Sequence, residues 1–339
     1  VRLPKFDYLE PKDLQEALEL LHAHGKKCRV LAGGTDLLVR MKQRLATPEY
    51  VLSLKRLAEL DYLLEENGQV RIGARTSLHA VGASTTVQRR LPSLFQAVHA
   101  IGSPSIQHHR GTVGGNVCQD SRCLFYNQSA FWRSGRQPCH KAGGRICYAH
   151  EGSDRCRSTN QSDGATALMA LDAQAVLSSN GSARIIPFQD LFTGKGETPI
   201  SLEPDELLTE IRIALPLPGE GSAYQRVAYR SAVDYPIAAA AVLVRTQEAR
   251  IQRARVVIGA MTNAPLLLAR ASELLEGRAI SDEEALEEVA HLARDHASPF
   301  AVNNVGSTAE YRVEMVPVLV RRALRDAMAQ AAAPQEKHP

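Results

Sequence analysis

Apolar positions Leu14, Ala17, Leu18, Leu20 and Leu21 fall on one face of a 3.6-residue repeat, with Pro11 ahead and Gly25 behind, and predict an amphipathic helix over 11–24. The following text, CRVLAGGTDLLVRMKQR, runs strand, glycine turn, helix. Short apolar runs predict a strand at 50–54 and helices near 77–83 and 91–100, with the run 69–72 leading into the first of these helices. A second glycine turn occupies 111–116, and 112–117 reads as strand-like. From Cys118 to Thr166 there is neither alternation nor a helical stripe, which predicts an unusually long irregular loop. Beyond it, 165–171 reads as a buried turn, 173–177 and 184–187 as paired strands, 187–191 as a short helical turn and 207–215 as a further strand. The clearest linker is Pro216-Leu217-Pro218-Gly219-Glu220-Gly221. Three antiparallel strands are expected after it, at 223–230, 238–245 and 253–261, then helices at 266–276, 281–295 and 307–330. Asp282, Glu283 and Glu284 open the second of these helices, and Arg321, Arg322 and Arg325 close the third, each complementing the helix dipole. Residues 332–339 read as a frayed tail, and no internal repeat is apparent.

Length and composition narrow the class. The 339 residues are 44% hydrophobic and 23% charged, which implies two or three domains with ample core. A net charge of +3 makes no case for nucleic acid or an anionic membrane. No stretch approaches the ~18 to 20 unbroken apolar residues of a membrane span. Val1-Arg2-Leu3-Pro4-Lys5 opens no signal peptide, so a cytoplasmic location is expected. Val1 in place of Met points to an alternative start or a processed terminus.

The richest chemistry lies in the long loop. Cys123, Cys139, Cys147 and Cys156 are separated by 16, 8 and 9 positions, without the close CxxC pairs of a zinc ribbon or finger. Four thiolates so spaced suit an iron–sulfur cluster, a structural zinc or two disulfides, and unligated thiols are a fourth reading. A cytoplasmic location counts against disulfides. Arg122, Arg133, Arg136, Lys141, Arg145, Arg155 and Arg157 would offset the charge of a thiolate-bound centre, or form a solvated basic loop. Cys28 and Cys118 are read as packing residues. Gly33-Gly34-Thr35-Asp36 either makes a tight connection with no ligand or offers backbone N–H groups and a helix N-terminus suited to pyrophosphate, and neither G-x-G-x-x-G nor a phosphate loop is present.

Five motifs stand in a recognisable order: AGGTDLL at 32–38, GTVGGN at 111–116, SDGATALMALDA at 162–173, YRSAVDYP at 229–236 and STAEYRVEMVPVLVRRAL at 307–324. Together they resemble the FAD-binding medium subunit of the molybdenum hydroxylases, over nearly the whole chain. Most members of that family lack a cysteine loop after GGN. CQDSRCLFYNQSAFWRSG at 118–135 and SDRC at 153–156 are similar to the β subunit of 4-hydroxybenzoyl-CoA reductase, in which such an insertion carries a [4Fe–4S] cluster.

The resemblance implies an α+β fold. A two-part FAD-binding domain of the vanillyl-alcohol-oxidase/PCMH type would occupy 1–56 and 57–217, with the iron–sulfur loop at about 119–163. A C-terminal domain of a three-stranded antiparallel sheet with helices would span 218–331, ahead of the tail at 332–339. Ala32, Gly33, Gly34, Thr35, Asp36 and Leu37 would wrap the FAD pyrophosphate, and Thr112, Gly114, Gly115 and Asn116 would approach from the second turn. Asp163 would accept hydrogen bonds from the cofactor's hydroxyl-bearing chain, and Asp234 and Tyr235 would lie near the isoalloxazine ring. Cys123, Cys139, Cys147 and Cys156 would ligate the [4Fe–4S] cluster. The partners implied are a large molybdopterin subunit, a small [2Fe–2S] subunit and a ferredoxin-like electron donor or acceptor, in a dimer of heterotrimers. The expected activity is reductive dehydroxylation of 4-hydroxybenzoyl-CoA. The alternatives are a related hydroxylase oxidising another aromatic or acyl-CoA compound, and a zinc-stabilised scaffold subunit without flavin.

Overall fold

The computed structural model describes residues 2–304 and 306–333. Asp13 starts the first helix, Leu14–His24, by accepting a hydrogen bond from the Glu16 N–H. The helix buries Ala17, Leu18 and Leu21 with Leu52 and Cys28, which gives Cys28 a packing role. The sheet beside it has three parallel strands ordered β1-β3-β2: β1 (Asp7–Leu9), β2 (Cys28–Leu31) and β3 (Tyr50–Ser53). Parallel neighbours need crossovers, and Leu14–His24 and Leu37–Lys42 supply them.

A five-stranded antiparallel sheet follows, ordered β4-β5-β8-β6-β7: β4 (Leu63–Glu66), β5 (Gln69–Gly73), β6 (Gln174–Ser179), β7 (Ser182–Pro187) and β8 (Leu207–Ala214). Its core continues through the Leu78–Ala83, Thr85–Arg90 and Pro92–Ala100 helices. The C-terminal sheet, also antiparallel, is ordered β12-β11-β10-β9: β9 (Glu220–Val227), β10 (Ala238–Gln247), β11 (Arg250–Gly259) and β12 (Leu266–Leu267). The pleat of β10 joins two cores. Ala239, Ala241 and Leu243 face the core of the five-stranded sheet, whereas Ala238, Ala240, Val242 and Val244 face the core shared with the Glu283–Ala297 and Ala309–Ala332 helices.

Several sequence expectations are corrected. Residues 112–117 are not a strand: Thr112 accepts from the Gly115 N–H and caps a short helix, Val113–Val117. Residues 165–171 are not a turn but most of the Asp163–Ala170 helix, capped by Ser162, with all eight residues buried and its apolar ones in the core of the five-stranded sheet. The C-terminal sheet has a fourth strand, β12, so 266–276 begins extended and becomes helical only at Arg270–Leu275. β9 starts at Glu220, inside the expected linker. The long loop contains one short helix, Ala130–Ser134, and the 3-10 turn His140–Ala142. The tail expected at 332–339 lies outside the described residues from 334 onward, and Ala332 ends a helix.

One buried carboxylate ties the five-stranded sheet together. Glu210 accepts from Arg71 Nε at 2.7 Å, and also from the Tyr62 hydroxyl and Arg212 Nε. Burial pushes the Glu210 carboxyl up, but the hydrogen bonds from Arg71, Tyr62 and Arg212 outweigh it and hold the pKa below the ordinary value of 4.5. A lowered folded-state pKa contributes stability that is present above the unfolded value and lost as pH falls through the folded one. Glu210→Gln is therefore expected to cost about 2 kcal/mol at neutral pH. In denaturant melts the gap to the wild type should narrow below about pH 4.5, and a gap that did not change with pH would assign the effect to packing.

Candidate functional site

The two glycine turns are pressed together. A Cβ on Gly33 would lie 1.5 Å from the Arg110 carbonyl oxygen, so only glycine permits this approach. The second turn is held by Val113 N–H to the Thr76 carbonyl at 3.0 Å and Gly114 N–H to the Ala74 carbonyl at 2.9 Å. Between the turns opens a cleft of about 290 Å³. Of the residues expected to hold FAD, the cleft is lined by Thr35 and Asp36, by Thr112, Gly115 and Asn116, by Asp163, and by Asp234 and Tyr235. Ala32, Gly33, Gly34, Leu37 and Gly114 are not among its lining residues. Leu37 is packed with Met41 behind the turn. Gly34 has a φ of 77°, and a Cβ there would meet the Leu38 side chain at 2.9 Å; on Gly114 it would meet the Ala74 carbonyl at 2.7 Å. These glycines shape the turns.

The cleft also contains residues not anticipated as cofactor contacts. Gln161 lines it, is buried, and has no partner for Oε1, while its Nε2 donates to Thr159 Oγ1 at 2.6 Å. Arg122 lines it too: its Nη2 donates to Asp36, its guanidinium lies 5.4 Å from the centre of the Tyr235 ring, and its Nε is buried without a partner. Buried polar atoms left unpaired in a cleft are what a polar ligand would satisfy, so the residues present fit a cofactor with hydrogen-bonding edges. The signal for Gln161 was its place two residues before Asp163 in the SDGAT motif.

Asp163 both lines the cleft and anchors its floor. Oδ1 accepts from the Tyr224 hydroxyl at 2.5 Å and from Arg226 Nη1 at 3.1 Å. Burial pushes the carboxyl up, against the pull of Arg226 and Tyr224. Asp234 caps the opposite wall, where Arg230 Nε lies 3.4 Å from Oδ2. Burial likewise pushes the Tyr235 hydroxyl up.

The four loop cysteines line one smaller cavity, together with Tyr126, Lys141 and Ser158 among others. Cys139 is held by a parallel bridge to Ile146 and by His140 N–H to the Ile146 carbonyl at 3.0 Å. The Cys156 N–H donates to Glu197 Oε1 at 2.8 Å, and the Cys123 N–H to Asn127 Oδ1 at 2.8 Å. Burial pushes the Cys123 thiol up to about 11 and also raises Cys156. No disulfide joins any of the six cysteines, and desolvation pushes the Cys118 thiol up to about 12. Among the described residues, no three His, Cys, Asp or Glu side chains are arranged as ligands of a metal ion.

The two sites share a wall. Arg122 faces the cleft and Cys123 the cavity, and the backbone between them is fixed by an antiparallel bridge, with Arg122 and Thr159 exchanging N–H···O bonds of 2.8 Å in both directions. Asn304 reinforces it by donating to the Arg122 carbonyl at 2.9 Å and accepting from the Leu124 N–H at 2.7 Å. Buried Arg312 donates to the Asn304 carbonyl, which roots this wall in the C-terminal helix. No helix among the described residues is long and apolar enough to cross a membrane.

Comparison with known proteins matches the same architecture. Residues 4–217 match the model of the FAD-binding domain in molybdopterin dehydrogenase, and 222–327 the CO dehydrogenase flavoprotein C-terminal domain. The carbon monoxide dehydrogenase medium chain of Afipia carboxidovorans is 33% identical over 327 residues, covering 96% of this chain and 98% of that one. The nicotinate dehydrogenase FAD-subunit of Eubacterium barkeri is 28% identical over 281 residues, 82% of each chain. The solved carbon monoxide dehydrogenase from Hydrogenophaga pseudoflava superposes with a TM-score of 0.79 at 27% identity, covering 98% of this chain and 100% of that one. Both domain matches and a relative 33% identical along nearly the full length place this chain in the family of FAD-binding medium subunits of the molybdenum hydroxylases.

Proposed function

We propose that the chain is the electron-transfer subunit of a molybdenum hydroxylase-family complex, with FAD in the cleft and a [4Fe–4S] cluster at Cys123, Cys139, Cys147 and Cys156. FAD supplies one- and two-electron exchange and the cluster one-electron exchange, while the protein supplies position and potential. The observation that carries the reading is that four cysteines spread over 123–156 line a single cavity, one peptide away from the cleft wall. A single zinc ion would draw its sulfurs to about 2.3 Å from one point, whereas a four-iron cube spreads them apart. Four cysteines on one cavity supply the thiolates that either centre would need, and the loop text at 118–135 and 153–156 favours the cube.

In this reading the fold is of the PCMH type. Thr35, Asp36, Thr112, Gly115, Asn116 and Gln161 hold FAD, with Gly33, Gly34 and Gly114 shaping the turns and Asp163 bracing the floor. FAD and the cluster would supply the electron exchange, and the partners would be a ferredoxin-like carrier, a small [2Fe–2S] subunit and a large molybdopterin subunit. The proposed substrate is 4-hydroxybenzoyl-CoA, which takes up two electrons and two protons to give benzoyl-CoA and water. This assignment is supported by the loop text at 118–135 and 153–156 alone. A second reading runs electrons outward from an oxidised substrate, and the names of the relatives favour it, since they are dehydrogenases of carbon monoxide and nicotinate.

Iron, acid-labile sulfide and FAD are to be measured on the anaerobically purified protein. The expected result is about four irons and four sulfides with one FAD per chain. FAD without iron would remove the cluster, and neither cofactor would return the chain to a scaffold role. Reoxidation of the reduced complex by 4-hydroxybenzoyl-CoA, with release of benzoyl-CoA, decides between the two directions.

A further inference from the structure

A ladder of five ionised side chains runs from the cleft to the cysteine cavity with alternating sign. Arg122 donates to Asp36 at the cleft. Arg40 lies 3.8 Å from Asp36 Oδ2 and 3.0 Å from Asp120 Oδ2. Asp120 Oδ1 then accepts from Lys141 Nζ at 2.7 Å, and Lys141 lines the cavity. The Lys141 side chain is 3% exposed and that of Asp120 8%, so solvent screens neither well.

Lys141 has more bonds than are needed to neutralise it. Nζ also donates to the Gly196 carbonyl and to Ser121 Oγ, both at 2.6 Å. Ser121 Oγ lies 2.7 Å from Ser158 Oγ, which in turn is 3.2 Å from Cys156 Sγ. The Ser158 N–H donates to the same sulfur at 3.4 Å. A buried ammonium is thus linked through two hydroxyls to one of the four sulfurs. Both hydroxyls can rotate, so Ser158 can turn its O–H toward the Cys156 sulfur, and Ser121 can pass its own toward Ser158 because Lys141 donates to Ser121.

We propose that Lys141 sets the reduction potential of the redox centre at the four cysteines, acting on it as a buried cation and through Ser121 and Ser158. The inference rests on the cluster reading given above. One-electron reduction adds a negative charge to the centre. A nearby cation and donors to its sulfur stabilise the reduced form more than the oxidised form and raise the potential. Asp120 does the reverse, and Arg40 limits its effect by sharing the carboxylate.

Potentiometric titration of the full-length, anaerobically purified protein with dithionite tests the assignment, the cluster being read by electron paramagnetic resonance and its iron content by chemical analysis. Lys141→Met is expected to keep iron and shift the midpoint potential to a more negative value. Asp120→Asn is expected to shift it positive, and Lys141→Arg to hold it near the wild type. Shifts of opposite sign from two partners of one ion pair are not produced by loosened packing. Should Lys141→Met fail to fold, Asp120→Asn and Lys141→Arg still decide. Unchanged potentials, or shifts of the same sign in Lys141→Met and Asp120→Asn, would overturn the role of Lys141 and leave the cluster reading standing. Wild-type protein without iron would overturn both.

Discussion

On the proposed cluster reading, Cys139→Ala is expected to purify with FAD and without iron, falling from about four irons per chain to near zero. Cys139 lies on the rim of the cavity, half-buried, and lines no part of the flavin cleft. Its backbone is fixed by the bridge to Ile146, which alanine keeps. Truncation therefore removes a sulfur at small cost to local packing, while a cluster missing one of four thiolate anchors is readily lost. Beyond the polar anchors at Arg122 and Lys141, little apolar packing holds the loop. Its own apolar cluster comprises only Cys123, Tyr126, Ala149 and Val302 as buried members, so loss of the cluster should also make 118–162 more sensitive to protease. Cys28→Ala is the control, since Cys28 lies in the core beside β3 and should leave iron unchanged. Iron, sulfide and FAD analysis on the two variants checks both results, and full iron in Cys139→Ala would remove Cys139 from the ligand set.

How much of this was legible in the sequence depended on whether a segment has one buried face or two. The helices at Leu14–His24, Glu283–Ala297 and Ala309–Ala332 bury one stripe and show it as a 3.6-residue repeat, so they were readable to within a few residues. The Asp163–Ala170 helix buries every residue, and a helix buried on all sides carries no amphipathic period to read. Val113–Val117 failed for a different reason: its Val, Gly and Asn composition argues against helix, and the Thr112 cap with burial in the core overrides it. β4 was missed although Asn67-Gly68, both at positive φ, is a direct hairpin signal. The motif residues of the cleft could be named in advance because they recur in fixed local order. The contacts of Lys141 could not, because its partners Asp120, Ser121 and Gly196 are brought to it by folding and no spacing encodes them.

Gly33→Ala is expected to cost both the fold of the cleft and the flavin, and it separates two roles that glycine plays here. The added Cβ would fall 1.5 Å from the Arg110 carbonyl oxygen and 2.5 Å from its carbon, which are backbone atoms with no rotamer to yield. The only relief is for the two turns to part, which opens the cleft between Thr35 and Thr112 and takes the Arg122–Asp36 pair with it. An overpacked contact of this kind costs on the order of 3 kcal/mol, and FAD binding should fall below detection. Gly115→Ala makes the contrast. A Cβ there meets only the Thr112 hydroxyl, at 2.9 Å, and a hydroxyl can rotate away at the cost of a helix cap, about 1 kcal/mol. Gly115 also lines the cleft, so a methyl group there intrudes on the cofactor more than on the protein. Thermal melts and flavin content measured together should show Gly33→Ala losing both. Gly115→Ala should retain most of its stability and bind FAD roughly tenfold more weakly, a loss of about 1.4 kcal/mol. Equal loss of stability in the two variants would mean that the second turn, like the first, uses its glycine to admit the protein's own backbone.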